Sequence, residues 1–209
     1  GSGKSTILDV ARTAWETAGI KVYGASLAGK AADGLEQASG IRSRTLAAIE
    51  KSWEHGFDPV TLGSVVVIDE VGMVGTRQLS RVVAKLTELN CKVVLVGDPE
   101  QLQPIQAGTP FRDLLTLHDH AKLTEVRRQK KDWQRKATQQ LACGDVRSAL
   151  DSYKAQGRVK EHASTANAVD ALVADYLKAA KTDPAHRIRL ALAHRRKDVF
   201  ALTQRIRAG

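Results

Sequence analysis

The chain has 209 residues, of which 43% are apolar and 26% charged, which suits one or two folded domains and excludes a disordered or fibrous polypeptide. No apolar run approaches ~18 residues, so a transmembrane helix is not expected, and no signal peptide is visible; a cytoplasmic location is the expectation. The formal charge of +9 is uneven: residues 1–120 hold 12 Lys/Arg against 14 Asp/Glu, and residues 121–209 hold 20 against 9. The second part therefore reads either as a polyanion-facing surface or as a set of solvated basic helices. Cys91 and Cys143 are isolated, without metal-type spacing, and read as reduced apolar fillers; sequence alone leaves a disulfide between them open. A chain that opens on Gly1 without Met reads as a piece of a longer protein.

Gly1-Ser2-Gly3-Lys4-Ser5-Thr6 is the back half of a P-loop, G-x-x-x-x-G-K-[ST]. Its glycines permit a tight turn that aims successive backbone N–H groups at phosphate oxygens. Lys4 would reach the β- and γ-phosphates, and the Ser5 hydroxyl would face Mg²⁺. A helix starting near Lys4 adds the positive end of its dipole, and its apolar positions run to Gly19. A short strand is expected at Lys21–Ala25, then a turn and helix over Ser26–Gln37, and another helix over Thr45–His55. Gly29 and Lys30 place backbone and one cation at a strand's carboxyl end, where a phosphate of ATP or DNA could sit; a solvated Lys is the bland alternative.

Val65-Val66-Val67-Ile68 reads as a buried central strand of a parallel sheet, and Asp69-Glu70 follow where it ends. Adjacent acids there are poor packing residues; they read either as a solvated acidic turn or as ligands, Asp69 able to hold Mg²⁺ and Glu70 able to take a proton from an attacking water. Thr76 is expected to cap a helix that runs to Leu89, with Leu79, Val82, Val83 and Leu86 on one face. Lys92–Val96 is the next strand, ending in Gly97-Asp98-Pro99-Glu100-Gln101-Leu102-Gln103-Pro104-Ile105. Gln101 could hydrogen-bond the γ-phosphate or the water; a Pro-rich surface turn is the alternative. No element is assigned to residues 106–120. Ala121–Thr124 is expected as a strand leading to Arg127-Arg128, either of which could stabilise charge on a transferring phosphoryl group. Helices are expected at Trp133–Cys143, Val146–Gln156, Thr165–Lys181 and Asp198–Arg207, with strands at Arg158–His162 and Ile188–His194.

Taken together, GSGKST, ASLAGKAA, VVVIDEVGMVGTRQL, VVLVGDPEQLQPIQAG and LTEVRRQKKDWQR occur in the order of helicase motifs I, Ia, II, III and IV. The chain resembles superfamily 1 DNA helicases of the RecD-like branch, most closely the helicase part of TraA-type conjugative relaxases. The resemblance implies an α/β fold, a RecA-like P-loop domain with a mostly parallel sheet and helices on both faces, whose first strand is missing. It implies ATP and Mg²⁺ as cofactors: Gly1, Ser2, Gly3, Lys4, Ser5, Thr6, Asp69, Gly97 and Asp98 around the nucleotide, with Ser5 and Asp69 on the metal. Glu70 would be the general base, Gln101 the γ-phosphate sensor, and Arg128 rather than Arg127 the phosphate-contacting arginine. Ser26, Gly29, Lys30, Gln103 and Pro104 are candidate DNA contacts. Implied partners are single-stranded DNA and other relaxosome proteins, with 5′ to 3′ movement.

The implied organisation is a motor core over residues 1–130, a helical continuation over 131–187, and the start of a second RecA-like domain over 188–209. Motifs V and VI are missing, and Ser152–Gly157, though superficially similar to motif V, sits too soon after motif IV. Two other classes stay in play: a P-loop phosphotransferase acting on a small molecule, which leaves VGDPEQLQPI unexplained, and an inactive nucleotide- or DNA-binding fragment.

Overall fold

The computed structural model describes residues 3–99, 104, 108–123, 129–182 and 189–208. Its strands are β1 (Val22–Ser26), β2 (Ser43–Thr45), β3 (Val65–Asp69) and β4 (Lys92–Leu95). Its helices are α1 (Lys4–Thr17), α2 (Gly29–Ser39), α3 (Leu46–Glu54), α4 (Thr76–Glu88), α5 (Pro110–Leu117), α6 (Asp132–Ala142), α7 (Val146–Ala155), α8 (Thr165–Thr182) and α9 (Arg196–Ala208), with one 3₁₀ turn at Val71–Met73. Two compact units divide the chain, Gly1–Gly144 and Asp145–Gly209.

In the first unit all strand pairs are parallel, in the order β2-β1-β3-β4. The β1–β3 register runs from Val22 opposite Val65 to Ser26 opposite Asp69, and β3–β4 runs from Val65 opposite Lys92 to Ile68 opposite Leu95. Parallel strands need crossover helices, and these cover both faces of the sheet. That is why β3 has no polar side: Val65, Val66, Val67 and Ile68 are all 2% exposed or less. Val66 and Ile68 pack with Leu46 and Ile49 of α3, Leu79, Val82 and Leu86 of α4, and Phe111 of α5. Val65 and Val67 face the opposite way, onto Leu8 of α1 and Leu35 of α2. Each such side chain contributes about 1.5–3 kcal/mol on burial. Next to it, β4 is only half-buried along Val93–Leu95, and no strand pairs with its outer edge among the described residues.

Local chemistry sets the helix ends. The Thr45 hydroxyl oxygen accepts the Ala48 N–H at 3.1 Å and caps α3. Thr76 is not the cap expected of it: it is the first helical residue of α4, and Gly75 holds the N-cap position without a side-chain bond. Leu79, Val82 and Leu86 are buried as their spacing predicts, with Val83 packed at the margin. β1 lies one residue later than expected, and β2 and α5 were not anticipated.

Three expected strands are not strands. Ala121–Leu123 is irregular, and Thr124 lies outside the described residues. Arg158–His162 is irregular, and two of its side chains reach helices: Lys160 pairs with Asp175 of α8 and Glu161 with Lys154 of α7, each at 2.5 Å. Arg189–His194 is irregular, and Leu190 and Leu192 are each 77% exposed, so the alternation has no face to bury; Ile188 is outside the described residues. Within this second unit Arg205 of α9 also pairs with Asp170 of α8. No helix among the described residues is long and apolar enough to cross a membrane. Cys91 and Cys143 are both free thiols.

Candidate nucleotide site

Gly3 has φ 81°, a left-handed conformation that glycine adopts without penalty, and it is the N-cap residue of α1. No side chain caps this helix and no acidic residue lies in its first turn. Its leading N–H groups find no hydrogen-bond partner among the described residues, and no described acidic residue of the first turn compensates the dipole's positive end. Lys4 is half-buried and has no ion-pair partner among the described residues, and the Ser5 hydroxyl has no hydrogen-bond partner among them. The four residues Ala18–Lys21 return the chain from the end of α1 to the start of β1. So short a return makes α1 antiparallel to β1, and it puts Lys4, Ser5 and Thr6 toward the carboxyl ends of the strands. Open α/β sheets bind ligands there.

β3 delivers the acids to the same edge. Asp69 is its last residue, and its Oδ1 accepts the N–H of Glu70 at 2.9 Å. The other carboxylate oxygen has no partner among the described residues, nor does the Glu70 carboxylate, and both residues are half-buried. Glu70 sits at φ 53°, ψ 34°, left-handed for a residue with a β-carbon. Such a conformation costs about 1–2 kcal/mol and recurs at functional sites. The chain then turns through Val71–Met73 and is tied to the neighbouring strand end: Val71 N–H donates to the Val96 carbonyl at 3.1 Å, and Val96 N–H to the Ile68 carbonyl at 2.8 Å. Gly97 and Asp98 follow directly, both half-buried.

The arrangement fits a nucleotide with Mg²⁺. Among the described residues it offers a helix start without a side-chain cap, an ammonium without an ion-pair partner, a hydroxyl, one unpaired oxygen of Asp69 and the Glu70 carboxylate, all toward one edge. No group of three or more His, Cys, Asp or Glu side chains able to hold a metal occurs among the described residues. A cation here would rely on Ser5, Asp69 and ligand oxygens, as Mg²⁺ does beside phosphates.

Of the DNA-contact candidates, Gly29 and Lys30 are exposed at the start of α2 and Pro104 is half-buried. Ser26 is fully buried, its hydroxyl 3.4 Å from the Asp69 carbonyl it faces, which leaves that side chain no surface for a strand of DNA. Gly1, Ser2, Gln101, Gln103, Arg127 and Arg128 lie outside the described residues.

One element of the site went unread in the sequence. α5 packs Phe111, 7% exposed, against the 3₁₀ turn, and Arg112 donates to the Pro99 carbonyl through Nε at 2.8 Å and Nη2 at 2.5 Å. Its signals were there: Pro110 at the first helical position, and Phe111, Leu114 and Leu115 at helical spacing.

Relatives of known name cover this chain. It is 45% identical over 202 residues to the conjugal transfer protein TraA of Rhizobium radiobacter, a match that takes 97% of this chain and 18% of that protein. It is 31% identical over 134 residues to the ATP-dependent RecD2 DNA helicase of Deinococcus radiodurans, taking 62% of this chain and 18% of that one. It is 30% identical over 123 residues to the multifunctional conjugation protein TraI of Escherichia coli, taking 56% of this chain and 7% of that one. The chain thus spans about a fifth of the length of the TraA proteins it matches. The profile of the AAA domain matches residues 1–164, the stretch that carries the parallel sheet, the uncapped start of α1 and the acidic end of β3, so the chain belongs to the AAA-domain family of P-loop nucleotide-binding proteins.

Proposed function

We propose that this chain is the ATP-hydrolysing part of a DNA helicase within a conjugative relaxase, coupling hydrolysis to 5′ to 3′ movement on single-stranded DNA. The observation that carries the reading is the meeting of Asp69-Glu70 and the uncapped start of α1 at one edge of the sheet. The similarity to TraA, RecD2 and TraI supports the DNA-directed part of it.

In this reading Gly1, Ser2, Gly3, Lys4 and Thr6 cradle the phosphates, and Gly97 and Asp98 border the nucleotide. Ser5 and Asp69 hold Mg²⁺, which supplies positive charge to the phosphate oxygens. Glu70 takes the proton of the attacking water, Gln101 reports the γ-phosphate, and Arg128 answers charge on the transferring group. Residues 188–209 begin the second RecA-like domain. Gly29 and Lys30 take phosphates of the single strand, with Gln103 and Pro104 as further DNA contacts, so affinity falls steeply with salt. Relaxosome proteins are the further partners.

The test is ATP hydrolysis by the full-length protein with and without single-stranded DNA, beside Glu70→Gln. The expected result is hydrolysis stimulated by DNA and reduced by about 10²-fold or more in the variant. Hydrolysis indifferent to DNA would replace the motor with a phosphotransferase, and normal turnover of Glu70→Gln would remove Glu70 from the chemistry.

A further inference from the structure

Phe111 occupies a place that only glycines leave free. A β-carbon on Gly97 would lie 2.9 Å from Cε1 and 3.1 Å from Cζ of the Phe111 ring, and 3.1 Å from Cγ1 of Val71. A β-carbon on Gly72 would lie 3.1 Å from the Asp98 carbonyl oxygen and 3.8 Å from Cδ1 of the same ring. Neither glycine has a positive φ, so what each meets is a limit of space: the Phe111 ring and Val71 at Gly97, and the Asp98 backbone at Gly72, where the ring is in ordinary contact. The ring thus fills the notch between the turn that follows Glu70 and the segment that follows β4. Arg112, the next residue, grips the far end of that segment at the Pro99 carbonyl. Gly108, just before α5, runs so close to α4 that a β-carbon there would lie 1.9 Å from the Thr76 Oγ1. α5 is therefore seated on both sides of the acidic turn.

We propose that Phe111, seconded by Arg112, is a positioning residue: it locks the turn carrying Glu70 to the Gly97–Pro99 segment, so that the carboxylate and the second strand end move as one body. The inference rests on the reading of Glu70 as the base. Misplacing a reacting group by about 1 Å costs up to ~10²-fold in rate, so a notch that is emptied or overfilled should appear in turnover before it appears in nucleotide binding. Turnover then carries the signature of the contact, and ATP affinity, set at α1, does not.

The experiment is a size-exchange cycle in the full-length protein with saturating single-stranded DNA. Gly97→Ala, Phe111→Leu and the double variant are each measured for kcat, KM for ATP and melting temperature. Phe111→Leu is expected to lower kcat about tenfold with KM for ATP within about twofold, and Gly97→Ala, at a residue that borders the nucleotide, to lower kcat about tenfold whatever its KM. The double variant, in which the new methyl takes space the ring gives up, is expected to return to within about threefold of wild type. Arg112→Gln, an exposed change that leaves the core intact, is expected to lower kcat about threefold, with Arg112→Lys restoring it through a donor to the same carbonyl. Losses that multiply in the double variant would overturn the proposal, as would kcat at the wild-type value in both Phe111→Leu and Arg112→Gln. If the Phe111 variants do not fold, the Arg112 pair decides alone: equal kcat for Gln and Lys overturns it. A wild-type protein whose hydrolysis ignores DNA, or whose Glu70→Gln variant turns over normally, would instead mark failure of the underlying functional reading.

Discussion

Truncating Ile68 tests the claim that β3 is the doubly covered centre of the sheet. Its side chain is 0% exposed, lies among Leu46, Ile49, Leu79, Val82, Leu86 and Phe111, and its backbone is paired with Ala25 on one side and Leu95 on the other. Helices and strands wall it on every side, so the site cannot collapse to fill a void. Ile68→Val removes one methylene and should cost about 1 kcal/mol; Ile68→Ala leaves a larger cavity and should cost about 3–4 kcal/mol, in the middle of the range for such changes. With an unfolding slope near 2 kcal/mol per molar urea, the midpoint should fall by about 0.5 M and about 1.7 M respectively. Trp53 packs against the same cluster, so its fluorescence reports the unfolding of this unit directly. An Ile68→Ala midpoint within about 0.2 M of the wild type would refute the reasoning, because no fully enclosed isoleucine can lose three carbons at that cost.

Lys4→Ala should weaken nucleotide binding itself, read by titration with a fluorescent ADP analogue; unchanged affinity would contradict the phosphate role of Lys4. Glu50 of α3 accepts from Gln78 Nε2 at 2.6 Å and from Arg81 Nε and Nη2 at 3.0 and 2.8 Å, both on α4. Glu50→Ala should therefore cost about 1–2 kcal/mol in a urea melt and Arg81→Ala, on the exposed side of the pair, under about 1 kcal/mol. In the second unit a hydrogen bond from Lys154 holds the Glu161 carboxyl below its ordinary value of 4.5, and one from Lys160 holds Asp175 below 3.8. Lowered folded values stabilise the folded form above those pH values, and the contribution is lost as pH falls through the lowered ones. Proton titration followed by NMR should show both carboxyls protonating below their ordinary values, and Lys160→Ala should return Asp175 toward 3.8.

How much of this was legible in the sequence depends on where the information lies. Four β-branched residues followed by two acids at 65–70 read as a buried parallel strand ending in carboxylates, and the structure has that strand there, buried and paired in parallel on both sides. The face of α4 was equally plain, because Leu79, Val82 and Leu86 repeat at helical spacing. β2 was not, since Ser43-Arg44-Thr45 has no apolar signature and becomes a strand only through its pairing with β1. α5 is eight residues long, too short for a periodic pattern to stand out, and its meaning lies in glycines far away in sequence. The reverse error occurred at 158–162 and 188–194, read in the sequence as short strands, where residues 158–162 and 189–194 pair with no strand among the described residues. Local preference names a strand; only a partner makes one.

With Glu70 as the proposed base, its left-handed backbone would set selection for chemistry against selection for folding at a single codon. Gly or Asn would sit more comfortably at that φ, so stability alone would drive the position toward them. A glutamate kept there marks a protein that gives up part of its folding free energy to hold one carboxylate in place. A library screened only for thermal resistance should drift away from glutamate at this position first, gaining stability while losing whatever the carboxylate does.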